Sequence, residues 1–311
     1  MLNRRHFIKQ SAFTAGALLA SQWMLAETDA TPQRLVILHT NDVHSRLEPF
    51  PMDGNRNQGL GGIAARAQLI NDIRSKNEHV LLLDAGDIFQ GTPYFNMYKG
   101  EPEIKAMTKM GYDACTMGNH DFDAGLDNFA TQLNHASFPV IMCNYDFTAT
   151  SMEGKYMPYK IFKKGKLKIG ITGVGIEMNG LVPDNLTGGT KYLDPIERLN
   201  ETADLLRKQK DCDMVICLSH LGYQYKENPN KICDTILAKE SEGVDLIIGG
   251  HTHTFLNEPV VVKNKKGDDV LINQVGWAGI NLGRLDYEFL PGKKKNLTNA
   301  HTVVVKKNSG E

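Results

Sequence analysis

Apolar runs of strand length alternate with helix-like patterns along most of this chain, and this alternation limits the possible folds more than any other feature. The strand-like runs comprise residues 35–38, 80–83, 112–117, 140–144, 167–174, 214–218 and 246–248. Apolar spacing predicts helices over residues 63–73, 102–110, 126–136 and 195–210. This order is typical of βα units, so we predict an α/β fold.

Two parts of the chain depart from the βα pattern. Residues 260–305 predict antiparallel strands joined by turns at 265–268 and 291–292, and residues 145–166 predict no regular element. The run 80–83 contains no polar residue, which indicates a strand that is covered on both faces. No internal repeat or linker divides the chain, so residues 31–311 are predicted to form a single domain.

Polar residues that can bind metals or transfer protons follow five of the strand-like runs. They are Asp42 and His44, Asp87, Asn119 with His120, Asp121 and Asp123, His220, and His251 with His253. In open α/β sheets, ligands bind at the carboxyl ends of the strands. Asp42 and His44 are two residues apart, so in an extended chain their side chains point the same way. His39 has the opposite phase and is predicted to be a core histidine.

This set of oxygen and nitrogen donors can hold two divalent ions. Imidazole and carboxylate ligands suit Zn, Mn, Fe, Co or Mg, and the absence of cysteine from the set argues against a structural zinc site. Two ions can clamp the attacking and leaving oxygens of a displacement at phosphorus and activate a bound water. His120, oriented by a carboxylate, can then protonate the leaving oxygen. Taken alone, the stretch from Asn119 to Asp123 is equally compatible with a polar loop that caps a helix.

Composition excludes one class of partner and says little about redox state. The 35 basic residues nearly balance the 36 acidic ones, whereas a protein that binds a nucleic-acid polymer normally has a basic face. Five cysteines show no metal-binding spacing, and Cys115, Cys143 and Cys217 are predicted to be buried as small apolar residues. A disulfide that uses Cys212 or Cys233 stays open as an alternative.

The amino terminus resembles a twin-arginine export signal, with the run Asn3-Arg4-Arg5-His6-Phe7-Ile8-Lys9 before a modest apolar stretch. We expect residues 1–30 to be removed and the protein to be periplasmic or otherwise exported, although the general secretory route is an alternative. The apolar stretch is too short for a transmembrane helix, and no cysteine follows it to carry a lipid. No membrane anchor is therefore expected.

The motif set resembles that of the calcineurin-like metallophosphoesterases. The longer strings His39-Thr40-Asn41-Asp42-Val43-His44, Asp84-Ala85-Gly86-Asp87-Ile88-Phe89-Gln90-Gly91-Thr92 and Ile248-Gly249-Gly250-His251-Thr252-His253 resemble the exported 5'-nucleotidase and UDP-sugar hydrolase family. The resemblance extends from about Arg34 to Leu290 and implies a four-layer αββα sandwich with a metal site at the carboxyl ends of the strands.

The resemblance also implies a role for each candidate residue. One ion would take Asp42, His44, Asp87 and His253, and the other Asp87, Asn119, His220 and His251, with Asp87 as the bridge. His120 matches the family's catalytic histidine, and Asp123, rather than Asp121, matches the aspartate that orients it. Some members have glutamine at the position of His253, and this difference is expected to alter metal preference more than activity.

The expected function is metal-dependent hydrolysis of phosphate esters, with a periplasmic phosphomonoesterase of the 5'-nucleotidase type as the first interpretation. One alternative is a broader phosphoesterase that takes cyclic nucleotides, UDP-sugars or small phosphate monoesters. The other is a metal-binding interaction module without turnover. The family's usual carboxyl-terminal substrate-recognition domain is expected to be absent, which suggests a separately encoded substrate domain as a possible partner.

Overall fold

Two β-sheets packed face to face form the centre of the protein in a computed structural model that describes residues 32–290 and 294–306. The strands are β1 (Gln33–Thr40), β2 (Val80–Asp84), β3 (Ala114–Cys115), β4 (Val140–Ile141), β5 (Tyr145–Asp146), β6 (Tyr156–Met157), β7 (Tyr159–Lys164), β8 (Leu167–Gly175), β9 (Lys191–Tyr192), β10 (Met214–His220), β11 (Leu246–Gly249), β12 (Val260–Lys263), β13 (Asp269–Asn273), β14 (Asn281–Leu290) and β15 (Lys294–Val304). The α-helices are α1 (Ile63–Arg74), α2 (Pro93–Tyr98), α3 (Glu101–Met110), α4 (Leu126–Gln132), α5 (Pro195–Asp204) and α6 (Asp234–Glu240).

Each sheet has a parallel centre, with antiparallel pairing at one edge of the first sheet and at both edges of the second. The first sheet has the order β15-β14-β1-β2-β3-β4-β6, and its strands from β1 to β6 run parallel. The second has the order β12-β13-β11-β10-β8-β7, with parallel pairing from β8 to β13. Strands β5 and β9 form a separate antiparallel pair. The carboxyl ends of both parallel centres therefore carry the loops that follow β1, β2, β8, β10 and β11.

Three apolar layers hold the sheets and helices together. Leu35 and Ile37 of β1 face the space between the sheets and pack in one cluster with Ile216 of β10, while Val36 and Leu38 face outward and cluster with residues of α1, α3 and α4. On the outer face of the second sheet, residues of α5 and α6 cluster with β10 and β11. Each buried aliphatic side chain contributes roughly 1.5–3 kcal/mol. The predicted αββα sandwich is confirmed. The run 80–83 is apolar throughout because its strand, β2, is covered on both faces, as predicted.

Three local elements differ from the prediction. The stretch 145–166, predicted to lack a regular element, contains β7, a half-buried edge strand that pairs antiparallel with β8. The helix predicted over 195–210 is α-helical only to Asp204 and continues as a wider π turn, Leu205–Gln209. No element was predicted at α6, whose seven residues are too few to show a helical period. The predicted signal and the turn at 291–292 lie outside the described residues.

All five cysteines are buried and none forms a disulfide in the described part of the chain, which contains them all. The buried environment predicted for Cys115, Cys143 and Cys217 is confirmed, and the alternative of a disulfide through Cys212 or Cys233 is not supported. His39 is also fully buried, with Nε2 3.0 Å from the side-chain nitrogen of Asn273. Its prediction as a core histidine is confirmed.

Replacing His39 with glutamine should reduce the acid sensitivity of the fold. Burial lowers the pKa of His39 from 6.5 to about 3, so below pH 6.5 the unfolded chain binds a proton that the folded chain does not. The resulting loss of stability should reach about 2 kcal/mol by pH 5. Urea unfolding in the presence of a chelator at pH 7.5 and pH 5 should show the stability gap between wild type and His39→Gln narrowing by that amount. An equal loss in both proteins would contradict a buried neutral His39.

Candidate metal centre

Two groups of potential metal ligands meet where the carboxyl ends of the two sheets adjoin. One comprises Asp42, His44 and His253, and the other comprises Asp87, His220 and His251. Within each group, one donor atom per residue lies within 4.8 Å of the others. Asp42, His44 and Asp87 follow β1 and β2 of the first sheet, whereas the remaining histidines end β10 or follow β11 of the second. Each group therefore combines ligands from both sheets.

Hydrogen bonds between the loops after β1 and β2 place Asp42, His44 and Asp87 side by side. The backbone N–H groups of Asp42 and His44 donate to the carbonyls of Gly86 and Asp87 at 2.9 and 3.0 Å. The expectation that Asp42 and His44 lie on an extended strand is wrong, because both have left-handed backbones with φ of 49° and 50°. Their side chains nevertheless meet at the site.

The loop after β11 has the same unusual backbone. His251 and His253 have φ of 72° and 52°, and Asp87 has φ of 54°. For residues other than glycine, such conformations cost on the order of 1–3 kcal/mol each and cluster at functional sites. The backbone N–H of His251 donates to both carboxylate oxygens of Asp42 at 3.0 Å, so Asp42 joins the loops of the two sheets.

The first group is compact around two imidazole nitrogens. His44 Nε2 lies 2.9 Å from His253 Nε2, and Asp42 Oδ1 lies 3.4 Å from His253 Nε2. The Nδ1 atom of His44 donates to the carbonyl of Phe89 at 3.2 Å, which directs Nε2 toward the other two residues. The Nε2 atoms of the two imidazoles face each other beside the buried Asp42 carboxylate. This is the arrangement expected of ligands that bind one cation together.

The second group is organised by Asp87 and His220. His220 Nε2 is 3.1 Å from Asp87 Oδ2, and His220 Nδ1 donates to the carbonyl of Ala85 at 2.7 Å. Asn119 Oδ1 lies 2.8 Å from His251 Nδ1. Asp87 Oδ2 is also 3.8 Å from His44 Nε2, so this carboxylate lies between the two groups.

The electrostatics and the donor chemistry both fit divalent cations. Burial alone would lower the pKa of His220, but Asp87 and Asp42 raise it to about 10, which indicates a strongly negative potential. His220 Nε2 is fully buried, and although Asp87 Oδ2 lies 3.1 Å away, the two groups are not aligned as a hydrogen bond. A bound cation would balance the negative potential and would accept the lone pair of His220 Nε2. Imidazole, carboxylate and amide oxygen together suit the hard and borderline divalent metals.

His120 lies beside both groups without belonging to either. Its Nδ1 is 2.8 Å from Asp123 Oδ2, its ring centroid is 5.2 Å from that of His44, and its backbone N–H donates to Asp87 Oδ1 at 2.8 Å. The hydrogen bond with Asp123 raises the pKa of His120. A half-exposed imidazole that favours its protonated form can donate a proton or neutralise developing charge.

Asp121 has a structural role that sequence reasoning missed. Its carboxylate is fully buried and accepts hydrogen bonds from the backbone N–H groups of Asp87, Ile88, Phe89 and Gly118 at 2.8–3.1 Å. It therefore holds the loop that carries Asp87 against the loop that carries Asn119. An aspartate one residue after a candidate histidine in a glycine-containing turn is the only sequence signal for this role.

Asn41 has a similar role for the first group. Its side-chain nitrogen donates to Asp42 Oδ2 at 2.6 Å and to the carbonyl of Gly276 at 2.7 Å, and its side-chain oxygen accepts from the N–H of Val275. Asn41 thus connects Asp42 to the segment between β13 and β14. The contacts with Val275 and Gly276 span more than 230 residues of sequence and could not be inferred from local pattern.

All nine residues singled out by the sequence converge at this end of the molecule. They are Asp42, His44, Asp87, Asn119, His120, Asp123, His220, His251 and His253. None of them lies apart from the others.

Comparisons with known proteins agree with this geometry. A family model described as calcineurin-like phosphoesterase matches residues 35–255. A snake venom 5'-nucleotidase from Gloydius brevicauda is 34% identical over 94% of this chain and 52% of its own length. The chain spans about half the length of the curated relatives it matches.

Two solved structures show the same fold. The crystal structure of a 5'-nucleotidase precursor from Thermus thermophilus has a TM-score of 0.78 and 31% identity, covering 88% of this chain and 55% of that one. The structure of an NAD nucleotidase from Haemophilus influenzae has a TM-score of 0.77 and 27% identity, covering 89% of this chain and 57% of that one.

Replacing Gly118 with alanine should disrupt metal binding more than folding. A Cβ at this position would lie 2.1 Å from Asp87 Oδ1 and 2.6 Å from His220 Cε1, so the second group would have to move. Because misplaced ligands weaken metal sites, we expect at least a roughly 10-fold loss of affinity for an added divalent ion, measured by isothermal titration calorimetry.

The control is Gly170→Ala, whose Cβ would meet the Leu206 side chain at 2.9 Å in the outer core. This variant should lose stability but bind metal like wild type. Unchanged metal affinity in Gly118→Ala would contradict a metal centre built on Asp87 and His220.

Proposed function

Because this chain belongs to the calcineurin-like phosphoesterase family, we propose that it is a phosphomonoesterase of the 5'-nucleotidase type. The family hydrolyses phosphate esters with a metal centre, and this chain is a 5'-nucleotidase-like metallophosphoesterase. The observation that carries the proposal of a phosphomonoesterase is the pair His120 and Asp123, which lies half-exposed beside both candidate ion groups.

The proposed ligands divide between two ions that share one carboxylate. Asp42, His44, Asp87 and His253 hold one ion, and Asp87, Asn119, His220 and His251 hold the other. The 3.1 Å and 3.8 Å distances from Asp87 Oδ2 to His220 and His44 support Asp87 as the bridge. The hydrogen bonds from the Nδ1 atoms of His44 and His220 to backbone carbonyls support ligation through Nε2.

Divalent ions held by these residues would supply Lewis acidity for the phosphate and for the attacking water. The protein's own contribution centres on His120, which carries the proton on Nε2 while Asp123 holds Nδ1. The hydrogen bond with Asp123 raises the pKa of His120, which favours the protonated imidazole that can stabilise the phosphate or protonate the departing ester oxygen. Asp121 keeps the Asp87 loop from moving as charge develops.

Substrate preference rests on the names of relatives rather than on a contact. Several relatives named 5'-nucleotidase are 32–36% identical to this chain, which favours 5'-mononucleotides. The likeness to a protein named NAD nucleotidase favours, as the second candidate, a broader enzyme that also accepts larger phosphate esters. Both candidates place the chemistry at the same centre, which lies within the matched half of those relatives.

We also propose that residues 31–311 are one metallophosphatase domain and that residues 1–30 direct its export and are then removed. The packing of all described helices and sheets into one αββα unit supports the domain boundary. The support for export is the twin-arginine motif around Arg4 and Arg5. No helix in the described ranges is long and apolar enough to cross a membrane.

The first test is hydrolysis by the chain without residues 1–30, with added Mn²⁺ or Zn²⁺. It is followed as phosphate release from AMP and an aryl phosphate, and as formation of UMP and glucose 1-phosphate from UDP-glucose. Wild type should hydrolyse AMP, lose activity with a chelator and regain it when metal is restored. His120→Ala should lower kcat by about 10²–10⁴-fold because the proton donor is lost, while metal content is unchanged.

The matched control is His135→Ala, which removes an exposed histidine that lies outside the candidate metal centre. It should retain wild-type kcat. Equal hydrolysis of all three substrates would favour the broader phosphoesterase over the 5'-nucleotidase. A metal-loaded protein that releases no phosphate from AMP would overturn the proposal.

A further inference from the structure

His253 differs from the other candidate histidine ligands in how its ring is held. His44 and His220 each donate an Nδ1 hydrogen bond to a backbone carbonyl, and His251 Nδ1 faces Asn119. Within residues 32–290 and 294–306, no such hydrogen bond is made by His253 Nδ1. The His253 side chain is also 40% exposed, so burial alone does not fix its rotamer.

The indole of Trp277 lies against the imidazole of His253. The two ring planes are 11° apart and their centroids are separated by 5.8 Å, which is an offset stack. Trp277 in turn meets Phe50 edge to face at 5.8 Å, and the guanidinium carbon of Arg46 lies 4.1 Å above the Phe50 ring. Trp277 is therefore supported by a second aromatic contact besides the one with His253.

The backbone around Trp277 is tied to the two segments that supply the first group. The N–H of Ala278 donates to the carbonyl of Asp42 at 2.7 Å, and the N–H of Gly276 donates to the carbonyl of Thr254 at 3.0 Å. Asn41 also donates to the carbonyl of Gly276. Trp277 thus keeps a set position relative to both Asp42 and His253.

This support matters because His253 has little else to orient it. Its backbone is left-handed, and its Nε2 lies 2.9 Å from His44 Nε2 and 3.4 Å from Asp42 Oδ1 in the first group. Groups that orient a metal ligand typically change metal affinity roughly 10- to 100-fold when they are lost. A stacked indole can restrict the ring as an Nδ1 hydrogen bond would.

We propose that Trp277 is a positioning residue that orients His253 for one of the two ions, the one bound by Asp42, His44 and His253. Trp277 neither ligates the ion nor transfers a proton. The inference rests on the proposed metal centre, but not on which phosphate ester is hydrolysed.

Calorimetric titration of the chelator-treated protein with Mn²⁺ or Zn²⁺ tests this directly. Wild type should bind two ions. Trp277→Ala should weaken one of the two sites roughly 10- to 100-fold and leave the other within about 3-fold of wild type. Trp277→Phe, which keeps an aromatic face, should recover most of the lost affinity. In a His253→Ala background, Trp277→Ala should cause no further loss, because Trp277 acts on the ion only through His253.

Phe162→Ala is the control, since it removes a half-buried aromatic residue on β7, outside the candidate metal centre. It should lower thermal stability without changing either affinity. At saturating metal, Trp277→Ala should regain wild-type kcat and KM, as expected for a residue that does not touch substrate.

Three results would overturn the inference. In Trp277→Ala, these are metal affinities that are unchanged at both sites, or metal affinities that are weakened equally at both sites. The third is a wild-type protein that fails to bind two ions. A wild type that binds two ions but releases no phosphate from AMP would overturn the proposed function alone, and the titrations would still decide the role of Trp277.

Discussion

The Asp87 carboxylate is the group on which the rest of the site depends. It is almost fully buried, and only its surroundings keep it ionised: burial alone would raise its pKa, but the imidazole of His220 lowers it below its ordinary value. Asp121 holds its backbone, and Gly118 leaves room for its oxygens. A charge buried in this way is tolerated only with strong partners, so the neighbouring loops must meet here in one arrangement.

Each candidate ion group is divided between the two sheets, and this links metal binding to the stability of the fold. Asp42, His44 and Asp87 come from the first sheet, whereas His220, His251 and His253 come from the second. The left-handed backbones at five of these six residues cost free energy that the packed apolar layers must offset. An ion that binds the folded arrangement and not the unfolded chain stabilises the sandwich by mass action.

Sequence pattern was most reliable where a residue's environment depends on its near neighbours. The apolar runs predicted the strands that form the parallel centres of the sheets, and each cluster of polar donors was found at the end of its strand. Residue chemistry alone assigned the orientation of His120 to a carboxylate, and the family resemblance implied Asp123 rather than Asp121. The structure separates them, because the Asp123 carboxylate reaches the His120 ring while the Asp121 carboxylate faces four backbone N–H groups.

The sequence pattern by itself determined the α/β class and which side chains can bind metal, because burial repeats with a short period and donor chemistry belongs to each residue. The four-layer αββα arrangement was implied by the family resemblance. Only the tertiary structure decided which donors share a group, why Asp42 and His44 converge without an extended backbone, and that Trp277 stacks on His253. Those contacts join residues far apart in the chain, such as His44 and His253, which are 209 positions apart. Their distances are set by how two sheets pack, and no local pattern records that packing.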